Sequence, residues 1–345
     1  MAEPKAHELV VSVSPHVRGK ETVERIMWTV NLALLPAFIM SVYYFGPLAA
    51  YVTGLCILTS VLFEHFYQIA LKKKSTIGDG SAFLTGLLLG LNLPPTVPFY
   101  IPVVGSLIAI VITKLLFGGL GYNVFNPALI GRAFLLISFP KLLTTWSAPT
   151  AKITGMDAQT MATPLGLLKE EGLDVLLHEM GKMKEVETYA SSDLYMDLLT
   201  GNVAGSLGET SVIALLIGAA LLFYRGYITW HIPFSFLATV GVMAWAFGGE
   251  GLFSGDPLIH LLSGGLILGA FFMATDYVTC PSVRKGQIIF GIGCGAITML
   301  IRLKGGFPEG VMFAILLMNC FAPIIDRSIK PDLFGAVRVK KEKKS

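Results

Sequence analysis

Apolar residues in this sequence are gathered into long runs separated by short polar stretches. The hydrocarbon core of a bilayer takes roughly 20 mostly apolar residues per helix, and fewer where a helix is broken or re-entrant. Ten segments meet this criterion and cover residues 24–45, 47–71, 77–93, 98–117, 124–140, 207–224, 229–248, 256–275, 286–301 and 308–326. The third, fifth and ninth segments are short and rich in glycine, so we expect each to be tilted or interrupted.

Composition agrees with lipid as the surrounding medium. Only 14% of the residues are charged, against about 25% in soluble proteins, and 54% are hydrophobic. The formal net charge of +3 argues against nucleic acid as a partner, because a phosphate backbone binds clustered lysine and arginine. The four cysteines lie in or at the end of apolar stretches, with no two at metal-ligand spacing, so we interpret them as small buried hydrophobic residues.

The distribution of lysine and arginine predicts the orientation in the membrane. With the N-terminus inside, seventeen of them fall in cytoplasmic segments and two, Arg302 and Lys304, fall in the short outside loops. Cytoplasmic loops carry the excess of basic residues, so both termini are predicted to be cytoplasmic. The predicted parts are a cytoplasmic N-terminal segment (1–23), a first transmembrane repeat (24–140), an extracytoplasmic loop (141–206), a second transmembrane repeat (207–326) and a basic cytoplasmic tail (327–345).

The two transmembrane parts resemble each other. Thr-Gly-Leu-Leu-Leu-Gly at 85–90 matches Gly-Gly-Leu-Ile-Leu-Gly at 264–269, and each run precedes a proline-containing loop, an apolar span, a Gly-Gly turn and a final helix. Five segments per half is an odd number, so the second copy enters the membrane inverted. The alternative is a chance match in glycine- and leucine-rich sequence. The fold class that we predict is all-α integral membrane, with about ten transmembrane helices in two inverted five-helix repeats and one large extracytoplasmic loop.

Ionisable residues inside the apolar segments are functional candidates, because charge is costly in lipid. Glu64 and His65, in the second segment, form either a pair at headgroup level or part of an ion or proton relay. Arg132, in the fifth, cannot lose its charge, so we expect it to meet a carboxylate or a phosphate. Lys114 lies near a helix end, where we expect its side chain to snorkel to the interface.

Three further sites border the apolar segments. The glycine-rich run 118–126, which ends at Asn126 before a proline, either packs closely against a neighbouring helix or lets the backbone approach an anion or a flavin carbonyl. Asp276, at the cytoplasmic end of the eighth segment, is either a helix cap or a carboxylate for cation entry. In the outer loop, Thr163 and Pro164 are typical of the start of a helix, with Thr163 as the N-cap.

Four stretches together resemble one known family. They are Gly-Tyr-Asn-Val-Phe-Asn-Pro-Ala-Leu-Ile-Gly-Arg-Ala-Phe at 121–134, Ser-Gly-Asp-Pro-Leu at 254–258, Phe-Phe-Met-Ala-Thr-Asp at 271–276 and the tail at 319–326. The family comprises the D subunit of the Rnf complex, an ion-translocating ferredoxin:NAD oxidoreductase, and the B subunit of the sodium-translocating NADH:quinone oxidoreductase. The resemblance covers essentially the whole chain.

The resemblance implies a covalently bound FMN. In that family a motif of the form Asp-Gly-x-Ser/Thr-Gly-Ala-Thr carries FMN on its final threonine, through the phosphate. The matching stretch, 157–163, ends in Thr163, with Ala158 and Met161 standing where glycine is common. The implied cofactor contacts are Thr163, Thr160, Ala162, Asn126 and Arg132, and the ion-pathway candidates are Asp276 and Glu64. A second, noncovalent flavin, riboflavin, is also implied.

The resemblance further implies a place in an assembly. We expect a multi-pass subunit of the prokaryotic inner membrane that helps to couple ferredoxin:NAD electron transfer to translocation of sodium ions or protons. Its expected partners are the lipid bilayer, an extracytoplasmic FMN subunit and the cytoplasmic subunits that face NAD and ferredoxin. Two alternatives are a solute transporter without redox chemistry and a structural anchor for peripheral redox subunits.

Overall fold

The computed structural model describes residues 21–149, 160–183, 189–209, 211–249 and 251–329. Most of the predicted N-terminal segment and basic tail, and Asp157 and Ala158 of the FMN motif, lie outside these residues. The helices are α1 (Val23–Phe45), α2 (Pro47–Ala70), α3 (Ser81–Leu91), α4 (Tyr100–Leu107), α5 (Pro127–Ser138), α6 (Pro140–Leu143), α7 (Pro164–Glu170), α8 (Leu173–Met183), α9 (Ser191–Thr200), α10 (Val212–Arg225), α11 (His231–Phe247), α12 (Pro257–Leu262), α13 (Leu266–Leu268), α14 (Arg284–Lys304) and α15 (Val311–Ser328). Two short strands are β1 (Trp146–Ser147) and β2 (Thr160–Met161).

The helices divide into long and short apolar elements. Within the described residues, four helices are long and apolar enough to cross a membrane, namely α1, α2, α14 and α15. Shorter apolar elements are α3, α5, α10, α11 and α4 with its π-helical continuation (Ile108–Leu115). The third and fifth segments were predicted to be short, and α3 with 11 residues and α5 with 12 confirm this.

One break falls outside the three segments that were predicted to be tilted or interrupted. The ninth segment is a continuous 21-residue helix, α14, so the prediction of an interruption there was wrong. Its glycines serve close packing instead, since a Cβ at Gly295 would stand 2.6 Å from Thr239 Cβ on α11. The eighth segment is the broken one: it divides into α12, α13 and a π-helix (Gly269–Met273), with Gly264 between the first two at φ +69°, a left-handed conformation that glycine adopts readily. A glycine count does not distinguish these two uses.

The segment between the two sets of apolar helices forms a small unit of its own. Helices α8 and α9 bury Leu176, Met180, Leu194 and Leu198 in a cluster that includes Ile259 of α12. The hydroxyl of Tyr195 donates to Asp256, and this bond raises the pKa of Tyr195 to about 12. Strand β1 also pairs antiparallel with β2.

Lys169, on α7, connects this unit to the end of α14 by hydrogen bonds. Its Nζ donates to the backbone oxygens of Ile301, Gly305 and Phe307. The carbonyls at a helix C-terminus have no partners within the helix, and a lysine near them satisfies their hydrogen-bonding capacity. The unit is therefore attached to α12 through Tyr195 and to the end of α14 through Lys169.

Glycines set the closest approaches between helices. The contact of α1 with α10 is among the tightest of these, since a Cβ at Gly218 would lie 1.9 Å from the backbone oxygen of Ala33. Small residues at helix contacts let backbones approach and replace the hydrophobic driving force that lipid does not supply. The α1–α10 contact therefore has no space for a side chain at position 218.

We expect Gly218→Ala to destabilise the fold by about 1–3 kcal/mol, the usual effect of overpacking a tight contact. The measurement is the thermal unfolding midpoint of the detergent-purified protein, which should fall. Gly241→Ala on α11 is the matched control, because a Cβ there meets only Leu261 Cδ1 at 3.6 Å, an ordinary contact. Equal midpoints for the two variants would contradict the close α1–α10 contact.

Candidate functional site

Thr163 lies at a cavity of about 330 Å³, called here the Thr163 cavity. As predicted, it is the N-cap of α7: its Oγ1 accepts a hydrogen bond of 3.1 Å from Gly166 N, and Pro164 is the first helical residue. The Thr163 side chain is buried, whereas the neighbouring Ala162 is exposed. Both line the cavity; the side chain of Thr160, in β2, lies outside the described residues. The cap geometry thus places Thr163 at the wall of this cavity.

The walls of the Thr163 cavity are mainly apolar and aromatic, with a few polar groups. Trp146, Phe307 and Phe313 supply the aromatic surface. Arg132, Glu170 and Glu309 supply charge. This combination of an apolar lining and a few placed polar groups is typical of a cofactor site.

Arg132 is the centre of the polar wall. Its Nη1 donates to Asn92 Oδ1 at 2.7 Å, and its Nη2 donates to Glu309 Oε2 at 2.9 Å. Glu209 Oε1 lies 3.8 Å from the same Nη2. The prediction that Arg132 meets a carboxylate is confirmed. Because Glu309 is 177 positions away, sequence reasoning identified the need for a partner but not the partner.

Arg302 lies in a different place from the one expected. We placed it in a short outside loop, but it belongs to α14 and is only 3% exposed. Its Nη1 and Nη2 donate to the backbone oxygens of His260 and Ser263, at the end of α12. A helix that ends inside the protein leaves carbonyls without partners, and the guanidinium satisfies them. The break in the eighth segment is the reason for its burial.

Asn126 and Asp276 line a second, smaller cavity of about 90 Å³, called here the Asn126 cavity. Asn126 is the N-cap of α5, and its Oδ1 accepts from Ala128 N at 3.1 Å. The Asp276 carboxylate accepts from Val278 N and Thr279 Oγ1, at 3.4 and 3.3 Å, as a capping residue does. Both residues therefore have a local structural role and also face a shared space.

Met273 lines the Thr163 cavity and contacts a residue of the Asn126 cavity. Its side chain lines the Thr163 cavity and lies 3.9 Å from Asn92 Nδ2. Its backbone oxygen accepts a 3.4 Å hydrogen bond from Asn126 Nδ2. The predicted cofactor contacts are thus divided: Thr163, Ala162 and Arg132 line one cavity, and Asn126 lines the other with Asp276.

Glu64 forms a buried ion pair with Lys114. The lysine Nζ lies 2.7 Å from Glu64 Oε2 and 2.6 Å from Ser81 Oγ, and the side chains of Lys114 and Glu64 are 2% and 1% exposed. Glu64 Oε1 accepts from Thr76 Oγ1 at 2.6 Å. The prediction that Lys114 snorkels was wrong, and so was the interpretation of Glu64 and His65 as a headgroup pair. Because Glu64 balances the Lys114 charge inside the protein, the lysine side chain does not need to extend to the membrane interface.

We expect Lys114→Met to destabilise the protein by about 3–5 kcal/mol, because it leaves Glu64 as an uncompensated buried charge. Adding Glu64→Gln to it should restore most of this loss, since the double variant has no unpaired charge. Thermal unfolding of both variants beside the wild type is the measurement. A double variant no more stable than Lys114→Met would show that the two side chains do not interact.

Comparison with known proteins gives a consistent result. A model of the NQR2, RnfD, RnfE family matches residues 10–335. The chain is 50% identical over 340 residues to the D subunit of the proton-translocating ferredoxin:NAD(+) oxidoreductase complex of Clostridium ljungdahlii, covering 98% of this chain and 99% of that one. It is 47% identical over 339 residues to the D subunit of the Na(+)-translocating ferredoxin:NAD(+) oxidoreductase complex of Acetobacterium woodii, covering 98% of each.

A more distant relative agrees. The D subunit of the ion-translocating oxidoreductase complex of Stutzerimonas stutzeri is 42% identical over 331 residues, covering 92% of this chain and 93% of that one. The apolar helices, together with these relatives, identify a multi-pass membrane protein. The resemblance found in the sequence is confirmed, and the chain belongs to the NQR2, RnfD, RnfE family.

Proposed function

We propose that this chain is the D subunit of an ion-translocating ferredoxin:NAD oxidoreductase complex and carries FMN joined through its phosphate to Thr163. The observation that carries the proposal is the position of Thr163, which ends the motif at 157–163 and lies at the same cavity as Arg132. The relatives at 50% and 47% identity are named as the D subunits of such complexes.

The residues at the Thr163 cavity fit FMN in three respects. Thr163 Oγ1 accepts a hydrogen bond from Gly166 N, so the atom that would bond to phosphorus is held in place. The Arg132 guanidinium suits an anionic phosphate. Trp146, Phe307 and Phe313 suit an isoalloxazine ring. At about 330 Å³ the cavity is within the range of roughly 300–1,000 Å³ for ligand pockets.

In this proposal the cofactor, when bound, supplies the electron chemistry, and the protein supplies position and electric field. Thr163 tethers the group and thereby keeps its local concentration high. The aromatic residues limit the access of water. Arg132, held by Asn92 and Glu309, provides a fixed positive charge that needs no rearrangement when charge at the cavity changes.

We also propose the inverted five-helix repeat. Two contacts support it: α1 packs against α10, and α5 packs against α15. Helices α1 and α10 are the first apolar helices of the two halves, and α5 and α15 are the last. Two related halves are expected to pair equivalent helices in this way. Both cavities are lined by residues of both halves, as expected where function is located at a repeat interface.

For the ion pathway we propose Asp276, at the Asn126 cavity, and Glu64, which forms an ion pair with Lys114. Lys114 lines this cavity, and so does its partner Ser81. We also propose the noncovalent riboflavin that the resemblance implies. The translocated ion is sodium or a proton, since the two relatives are named for different ions.

The proposed orientation assigns partners to the two faces. Thr163 and the unit formed by α7–α9 lie outside, where an extracytoplasmic FMN subunit would exchange electrons with them. Asp276 and the Asn126 turn lie inside, toward the subunits that face NAD and ferredoxin. The lysine and arginine distribution supports this arrangement.

We expect Thr163→Val to abolish covalent flavin. Wild-type protein co-expressed with a flavin transferase should show the mass of FMN less one water and a fluorescent band on a denaturing gel, and the variant should show neither. Thr200→Val is the matched control, because it removes a threonine hydroxyl at the end of α9, outside the 157–163 motif and outside the residues that line the Thr163 cavity. An unmodified wild-type mass, or a fluorescent Thr163→Val band, would overturn the assignment.

We expect Asp276→Asn to abolish or strongly reduce ion uptake driven by ferredoxin and NAD in inverted vesicles, because it removes a charge at the Asn126 cavity. Flavin attachment at Thr163, in the other cavity, should be unchanged. Glu24→Gln, an exposed carboxylate in the first turn of α1, is the control. Wild-type uptake by Asp276→Asn would favour a purely structural role for this chain.

A further inference from the structure

Glu209 and Glu309 meet beside Arg132 at the edge of the Thr163 cavity. Glu209 is 7% exposed, and the side chain of Glu309 is 15% exposed. Both carboxylates approach the same guanidinium nitrogen, at 3.8 and 2.9 Å. With Thr163 they also line a small adjoining pocket. Two acids at one buried site repel each other if both are ionised.

In each of the two glutamates, one carboxylate oxygen accepts a hydrogen bond from the described part of the chain and the other does not. Glu309 Oε2 accepts from Arg132, and Glu209 Oε2 accepts from Ser206 N at 3.4 Å. The Oε1 atom of each is buried and has no hydrogen-bond partner among the described residues. Both carboxyl groups lie within 4 Å of Arg132 Nη2 and line the same small pocket, so they are close neighbours. Two carboxylates contain only acceptors, so a single proton would supply the missing donor.

The charges around the pair come from several elements. Arg132 on α5 and Arg302 on α14 are the cations, and Arg302 is occupied by the carbonyls of His260 and Ser263. Glu170 on α7 lines the cavity on its exposed side. Helices α3 and α13 contain no ionisable residue, and the charged residues of α1 lie in its first turn. The two arginines balance the two glutamates when both are ionised, so one added proton gives these four side chains a net charge of +1.

We propose that Glu209 and Glu309 share one exchangeable proton between their Oε1 atoms, and that this proton is linked to negative charge in the Thr163 cavity. No bond other than that of the proton changes: it comes from the aqueous phase and returns there. With the proton bound, Arg132 is less neutralised and attracts an anion more strongly. By linkage, an anion in the cavity raises the affinity of the pair for the proton. The second part rests on the proposed FMN at Thr163.

The test is infrared spectroscopy of the full-length chain in lipid nanodiscs, titrated over pH in H₂O and D₂O. We expect a carbonyl band of a protonated carboxylic acid, with the amplitude of one acid, that is present at low pH, disappears as pH rises and shifts in D₂O. Glu209→Gln and Glu309→Gln should each lose it, because an amide N–H then supplies the donor and the remaining glutamate ionises. Glu171→Gln, an exposed acid at the end of α7, should keep it.

Several results would overturn the shared proton. They are an amplitude of two acids, a band unchanged in both glutamine variants, and a titration that follows sodium concentration instead of pH, which would indicate a sodium ion between the carboxylates. The wild-type spectra alone give a second test that does not depend on the folding of any variant, since the absence of a D₂O-sensitive acid band also overturns it.

The link to the cavity has its own readout. In Thr163→Val the band should remain, with a midpoint lower by about one pH unit, or tenfold in proton affinity, because the anion is missing. Equal midpoints in Thr163→Val and in a wild-type sample whose mass shows bound FMN would overturn the link. A wild-type chain without FMN that still shows the band would instead overturn the proposed cofactor and leave the shared proton standing.

Discussion

The charge of Arg132 has to be matched inside the protein, because lipid offers it no partner. Its partners are Asn92, at the end of α3, and two glutamates that lie outside its own half, Glu209 and Glu309. A guanidinium has donors in fixed directions, so these groups must stand at defined positions around it. This requirement holds the ends of α3 and α15 and the segment before α10 together at one point. The Thr163 cavity exists beside that point.

Local rules were enough to predict some of this structure from the sequence. The long apolar runs indicated α1, α2 and α15, and the Thr-Pro pair indicated the N-terminus of α7, because length and capping depend on a few neighbouring residues. The break after α12, the burial of Arg302 and the Glu64–Lys114 pair were not predicted. Each depends on a partner distant in sequence, 50 positions away for Lys114, and one sequence contains no record of such contacts.

Both cavities are lined by residues of the two halves. Met273 connects them: it lies in a π-helix, its backbone oxygen accepts a hydrogen bond from Asn126, and its side chain contacts Asn92. π-helical turns occur often at functional sites. Both of these contacts of Met273 are with residues of the first half. In the proposed function, electron transfer takes place at the Thr163 cavity and ion passage at the Asn126 cavity. The contacts of Met273 with Asn126 and Asn92 would couple the two.

Thr163 occupies the short connection between β2 and α7. Strand β2 is paired with β1, which follows α6 and so moves with the first half. Helix α7 is bound by Lys169 to the end of α14, and so moves with the second. The connection between these two attachments consists of Ala162 and Thr163 alone. In the proposed function, a shift of one half against the other would change the backbone torsions of these two residues, and a group carried there would tilt.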